Sequence, residues 1–115
     1  MVKLSINDMA TICKMGIADG GVGDALARHT MEICRKAVNG SRWARMLSHA
    51  DIDDIVIIAA ARAIDRLDRW DSSRAAWVTY VSVITRSAIQ DHLRHEHRRS
   101  QAVEAYAENL QIGII

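Results

Sequence analysis

"WVTYVSVITRSAIQDHLR", Trp77 to Arg94, decides how this chain folds. It has two aromatics at its front, β-branched residues in the middle, and arginines with a glutamine further on. At about 100° per residue, Trp77, Tyr80, Val81, Ile84 and Ala88 fall on one side, and Ile89 and Leu93 extend that band. Apolar residues at this spacing predict a helix with one buried face. Arg86, Gln90, Arg94 and His97 gather opposite, within a fan of roughly 80°. Val83 lies inside that fan, where an isolated valine gains nothing from the core. The fan has two readings. One is an ordinary solvated surface. The other is a contact face for phosphates and base edges, because arginine offers a charged bidentate fork and glutamine can pair with adenine. The run "RHEHRRS" after Leu93 adds Arg98 and Arg99 to the basic side.

The preceding segment, Asp51 to Arg69, departs from the usual pattern in the opposite direction. Ile52, Ile55, Val56, Ala59, Ala63 and Leu67 form a buried stripe at helical spacing. Ile57 and Ile64 fall outside it, and Ile58 lies off its other flank. Only a narrow strip carrying Asp54, Asp65 and Asp68 is strongly polar. A helix apolar nearly all round is either central or faces a partner. Asp51 or Asp53 is the expected N-cap, with acids in the first turn as the macrodipole prefers. "DSSR", Asp71 to Arg74, reads as a polar turn between the two helices.

Further out the signals weaken. Ser5 followed by Asp8 begins a short first helix. "DGGVGD", Asp19 to Asp24, is the clearest break, holding three of the six glycines. Asp24 is expected to cap a second helix ending near Val38, where "NGS" offers a left-handed cap. "RWARMLSH" predicts another turn or two of helix. "SQAVEAYAENL" reads as a separate short amphipathic piece with Val103, Tyr106 and Leu110 on one side, followed by an apolar tail, "QIGII". No strand pattern is present. The expected fold is all-α: a small bundle of about four to six helices. It divides into residues 1–23 (helix and glycine-rich linker), 24–99 (the helical domain) and 100–115 (short helix and tail).

Composition bounds the rest. The chain has 115 residues, a formal net charge of +1, no proline and no phenylalanine. That length suits one domain with a modest core. Near-neutral charge means that any nucleic-acid affinity comes from local placement of cations. Cys13 and Cys34 form no metal-type pair, and no secretory signal precedes them, so both read as reduced thiols in a cytoplasmic protein. No apolar run is long enough to span a membrane. His92 and His95 are i, i+3 neighbours but His97 points elsewhere, so no metal is expected. There is no phosphate-cradling glycine loop with its lysine and no nucleophile–base pair at sensible spacing. No enzyme activity and no cofactor are expected.

The ordered series "DDIVIIAAARAIDRLDRWDSSRAAWVTYVSVITRSAIQDHLR", Asp53 to Arg94, resembles region 2 of bacterial sigma factors, closest to the extracytoplasmic-function group. Asp54 and Val56 match the family's acidic and apolar start. Arg62–Ala63 and "LDRWD" match the helix end. "DSSR" stands where the family has Asp-Pro-Ser-Arg, "WVTY" matches its aromatic signature, and "ITRSAIQDHLR" matches the stretch ending in Asp-aromatic-Leu-Arg. Leu26 to Ala50 is similar to the preceding family helix only weakly. The chain also departs from the family. Ile57 and Ile58 replace a Gln-Glu pair, Ser72 and Ala75 replace a proline and a glycine, and Val83 and Ile84 stand where primary sigma factors carry a tryptophan pair. Nothing after residue 100 resembles region 4.

The resemblance implies a minimal sigma-like transcription initiation factor. One helix would dock on the clamp helices of the largest catalytic RNA polymerase subunit through Asp54, Ile57, Ile58, Ala61, Arg62 and Asp65. The next would read and help melt a promoter −10-type element through Trp77, Tyr80, Val83, Arg86, Ser87, Gln90, Arg94, His97, Arg98 and Arg99. Stacking an exposed base on Tyr80 would contribute about 1–3 kcal/mol against the few kcal/mol needed to flip it. Trp77 is either its neighbour in that platform or a core residue. The turn Asp71 to Ala76 would border the pocket for the unstacked base. A second protein would supply upstream promoter contacts. The competing reading keeps the fold as an adaptor, with the Ile57/Ile58 patch and the apolar tail binding another subunit and no DNA contact.

Overall fold

The structure is a computed structural model that describes residues 4–16 and 20–114, with side-chain surroundings defined for 4–16 and 21–110. The apolar tail therefore lies outside the described side chains. Among the described residues there are four α-helices, two short 3-10 turns and no strand. The helices are α1 (Ile6–Lys14), α2 (Gly20–Asn39), α3 (His49–Asp65) and α4 (Trp77–Ile114), and the turns are Ala44–Met46 and Leu67–Arg69. The fold is the expected all-α bundle. Helices α2, α3 and α4 pack on one another, and α1 packs across α2 and α4.

Helix α1 starts where Ser5 accepts the Asp8 N–H on its hydroxyl at 3.1 Å. It stops at Gly16, whose φ of +73° only glycine adopts readily. Helix α2 begins at Gly20, four residues before the expected cap Asp24. Each glycine costs roughly 1 kcal/mol against alanine in a helix. Packing of Leu26, fully buried, and of half-buried Val22 offsets that cost. Nor does α2 end in a left-handed cap. Gly40 keeps a negative φ and donates to the Lys36 carbonyl at 2.9 Å, and the Ser41 hydroxyl donates to the Val38 carbonyl at 2.7 Å.

The cap of α3 is Ser48, not Asp51 or Asp53. The Ser48 hydroxyl accepts the Asp51 N–H, and the Asp51 carboxylate accepts the Ser48 N–H, both at 3.1 Å. This reciprocal box satisfies two otherwise orphaned donors. It also holds the Asp51 carboxyl below its usual range, chiefly through the Ser48 N–H. Asp53 instead pairs with Arg35 of α2 at 3.0 Å. Helix α3 ends at Asp65, short of the expected Arg69, because Arg66 leaves helical geometry and Leu67–Arg69 tightens into a 3-10 turn.

Helix α4 runs 38 residues without a break, so the expected separate C-terminal piece does not exist. No glycine or proline interrupts residues 77–112, and alanine, glutamate and glutamine favour the helix after Ser100. At 1.5 Å per residue it is about 57 Å long, a large part of the molecule's 74 Å longest extent. From Arg94 to Leu110 every side chain is exposed.

The core gathers Leu26, Cys34, Val38, Ile55, Val56, Val81 and Ile89 around two tryptophans. Trp70 and Trp77 meet edge to face, with centroids 5.4 Å apart. Trp70 Nε1 donates to the Ala75 carbonyl at 3.0 Å, and Trp77 Nε1 donates to the buried Thr30 hydroxyl at 3.0 Å. Each ring thus buries its large apolar area without an orphaned N–H. Helix α1 straps this joint. Asn7 Oδ1 accepts the Trp77 backbone N–H at 2.8 Å, capping α4 from a distance because Ala76 has no side-chain acceptor. Lys14 Nζ donates to the Trp70 carbonyl.

Candidate functional site

Two outward faces carry the expected contact residues. On α3, Asp54, Ile57, Ile58, Ala61 and Asp65 are all exposed and form one strip along the helix. Ile57 is 58% exposed and Ile58 47%, too much for core residues. The strip continues into a shallow apolar groove where Ala27 and Met31 of α2 meet Ile57, Ala60 and Ile64 of α3. Arg62 does not belong to it. Its guanidinium turns to Asp91 of α4 at 3.1 Å, joining the two helices. A long cationic side chain beside a carboxylate on the neighbouring helix takes that partner in preference to solvent.

On α4, Val83, Arg86, Ser87, Arg94, His97 and Arg98 are exposed and Gln90 is half-buried. Arg94 lies 3.7 Å from Asp91, an exposed pair of little energetic weight. Arg86 and Arg98 are in no ion pair among the described residues. Two expected contacts are elsewhere. Trp77 is fully buried and hydrogen-bonded to Thr30, so it belongs to the core and offers no ring to a ligand. Arg99 shares a side of the helix with Glu96 and Val103, away from Arg86 and Gln90.

Tyr80 stands between core and surface. Its ring leans on Trp77, with centroids 5.6 Å apart, and its hydroxyl donates to the Arg66 carbonyl at 3.0 Å. The ring is therefore held in place at the rim, partly covered. The loop from Trp70 to Ala76 beside it is tied by its own hydrogen bonds. Asp71 Oδ1 accepts the Ser73 hydroxyl at 2.6 Å and the Ser73 N–H at 2.9 Å, which holds its carboxyl below the usual range. Ser72, in the place of the family proline, is exposed on this turn.

Sequence reasoning missed a third feature. A cleft of about 630 Å³ separates the end of α2 and the following loop from the cationic side of α4. Lys36, Arg42 and Trp43 line one side, Arg86 and Gln90 the other. The signal was "SRWAR", Ser41 to Arg45, an aromatic flanked by arginines, which periodicity alone reads as a turn of helix.

The remaining candidates are structural. His92 lies 3.1 Å from Asp51, in a tie between α3 and α4. No cluster of metal-ligating side chains occurs among the described residues, and no described helix is long and apolar enough to cross a membrane. Both cysteines are free, and burial pushes both thiols up.

Fold and faces together define a small helical module with one apolar and one cationic outward side, a layout suited to bridging a protein partner and nucleic acid. Residues 35–99, more than half of the chain, match the family described as sigma-70 region 2, and the chain belongs to that family. No curated protein and no solved structure matches it. Sigma region 2 acts in transcription initiation by binding RNA polymerase and promoter DNA. The matched stretch contains α3, the tryptophan joint and the packed half of α4. Helix α1 and the first part of α2 lie outside it.

Proposed function

We propose that this chain docks on RNA polymerase core through Asp54, Ile57, Ile58, Ala61 and Asp65, against the clamp helices of the largest catalytic subunit. It engages a promoter −10-type element through Val83, Arg86, Ser87, Gln90, Arg94, His97 and Arg98, with Tyr80 at the rim. The observation that carries the reading is the segregation of the two faces inside the family-matched segment. Apolar side chains stand outward on α3 and cations stand outward on α4. Where related proteins have a polar Gln-Glu pair, the exposed isoleucines make the docking contact apolar. A fixed Tyr80 ring needs no reordering to receive an unstacked base, and the preformed Asp71–Ala76 turn limits the space beside it. With few DNA contacts of its own, the chain works with a second protein that supplies upstream promoter contacts.

Capture of core polymerase by the tagged chain, followed by transcription from a promoter library, tests this. Failure to capture core polymerase, alone or with a companion subunit, overturns it. The exposure of Ile57 and Ile58 also favours a second reading, an adaptor that binds its partner without touching DNA. Arg86→Ala with Gln90→Ala separates the two. The double variant loses promoter-dependent transcription under the first reading and keeps it under the second.

A further inference from the structure

The cleft between the α2 end and α4 is separate from the Tyr80 rim. Its lining contains three cations, Lys36, Arg42 and Arg86, and no acid. None of the three is in an ion pair among the described residues, although nearby Arg35, Arg62 and Arg94 all are. Three unpaired cations around one cavity raise its positive potential and attract a polyanion. Its volume of about 630 Å³ lies within the roughly 300–1,000 Å³ of sites that enclose small molecules.

The walls say more than charge alone. Trp43 is half-buried, packed against the core on one side and lining the cleft on another. The Arg42 guanidinium lies over its ring, 4.6 Å from the centroid. Indole and guanidinium planes are both surfaces on which bases stack. Opposite them, Gln90 offers a paired donor and acceptor, and Ile89 adds an apolar floor. A duplex keeps its base faces inside the stack and cannot use such a wall. A single strand can.

We infer that this cleft, between Lys36, Arg42 and Trp43 on one side and Arg86 and Gln90 on the other, binds a nucleotide of single-stranded DNA. The phosphate meets the three cations and the base lies against the Arg42–Trp43 pair. The inference rests on the promoter-binding reading and extends it. Arg86 and Gln90 face two ways, toward DNA along α4 and into the cleft, so a strand leaving the Tyr80 rim has a second holding point on α2.

Trp70 and Trp77 are buried, so Trp43 is the indole placed to report on the cleft. The full chain is titrated at low salt with short oligo(dT) carrying a fluorescent label and, separately, with a random-sequence duplex. Label anisotropy reads binding, and tryptophan emission reads the cleft. Oligo(dT) should quench the emission and the duplex should not. Trp43→Phe should remove the signal while keeping most of the binding. Lys36→Glu with Arg42→Glu, both on exposed residues, should weaken oligo(dT) binding about tenfold or more without unfolding the helices. Arg28→Glu, exposed and outside the cleft lining, should leave the quench intact. Binding with no change in Trp43 emission, binding indifferent to the charge reversal, equal quenching by duplex, or no binding to oligo(dT) would each overturn the cleft. Polymerase capture is a separate readout. A chain that captures polymerase and drives transcription, yet ignores the cleft substitutions, keeps its function and loses this site. A chain that quenches but captures no polymerase does the reverse.

Discussion

Helices α3 and α4 are built alike on their inner sides and oppositely on their outer ones. Inward, both present aliphatic residues at helical spacing to the same core, Ile55, Val56 and Ala59 from one, Val81, Ile84 and Ala88 from the other. Outward, α3 shows Ile57 and Ile58 to solvent, and α4 shows Arg86, Arg94 and Arg98. Burial explains the first set entirely. It explains neither isoleucine, since an exposed aliphatic gains nothing from folding. The inner faces say how the chain folds. What remains after burial is accounted for is where the proposed contacts lie.

The largest expected effect breaks both faces together. Trp77→Ala removes a fully buried ring and leaves Thr30 without its donor, at a cost of about 3–5 kcal/mol. Urea denaturation should show that loss, and both polymerase capture and DNA binding should fall with it. If either survived at full strength in the unfolded range, the faces would not depend on the tryptophan joint.

The next pair of substitutions should pull the faces apart. Ile58→Glu should reduce polymerase capture by about tenfold or more and leave stability within about 0.5 kcal/mol, as surface changes usually do. Arg86→Ala with Gln90→Ala should do the opposite, sparing capture and flattening the salt dependence of DNA binding by about one phosphate contact. Equal damage to both activities by either variant would mean that the two outer faces form one surface.

Smaller effects test the ties between the helices. Ser48→Ala removes the cap of α3 and should cost about 1 kcal/mol. Its partner Asp51 adds a pH dependence. A carboxyl held below its usual range contributes its full stabilisation above the ordinary aspartate pKa of about 3.9 and loses it as pH falls through its lower folded value. Asp51→Asn should therefore be less stable at neutral pH and lose less stability as the solution is acidified through the lowered Asp51 value. Least of all, a double-mutant cycle on Arg62 and Asp91 should give a coupling below about 1 kcal/mol. A larger value would make that pair a hinge rather than a trim between the two faces.

How far these features were legible depended on the kind of signal. Periodicity located α3 and α4 and their inner stripes, because burial on a helix repeats every 3.6 residues. It also singled out Ile57, Ile58 and Val83 as misfits, and all three are exposed. Capping was read less well. Ser48 was passed over for Asp51 because both are good cap residues three apart, and only the reciprocal hydrogen bonds tell which is the cap. Three glycines between Asp19 and Asp24 suggested a break, yet packing carried the helix back to Gly20. The division of α4 at Ser100 failed because no residue there stops a helix. The wheel sets Trp77 on the apolar side, while the family resemblance offers both it and Arg62 as contacts; neither signal shows that Thr30 and Asp91 reach them from other helices. The cleft beside Trp43 shows in local pattern only as the "SRWAR" of one wall, since its two walls come from segments some forty residues apart.

The bonds from Asn7 to the Trp77 amide and from Lys14 to the Trp70 carbonyl give the first helix a share in a surface it never forms. Trimming the chain to the segment shared with its family would keep every residue proposed to meet polymerase or promoter. It would also cut the guy ropes on the loop that aims Tyr80. The family-matched segment starts within α2, whereas the hydrogen bonds that hold this loop reach back to Asn7 and Lys14.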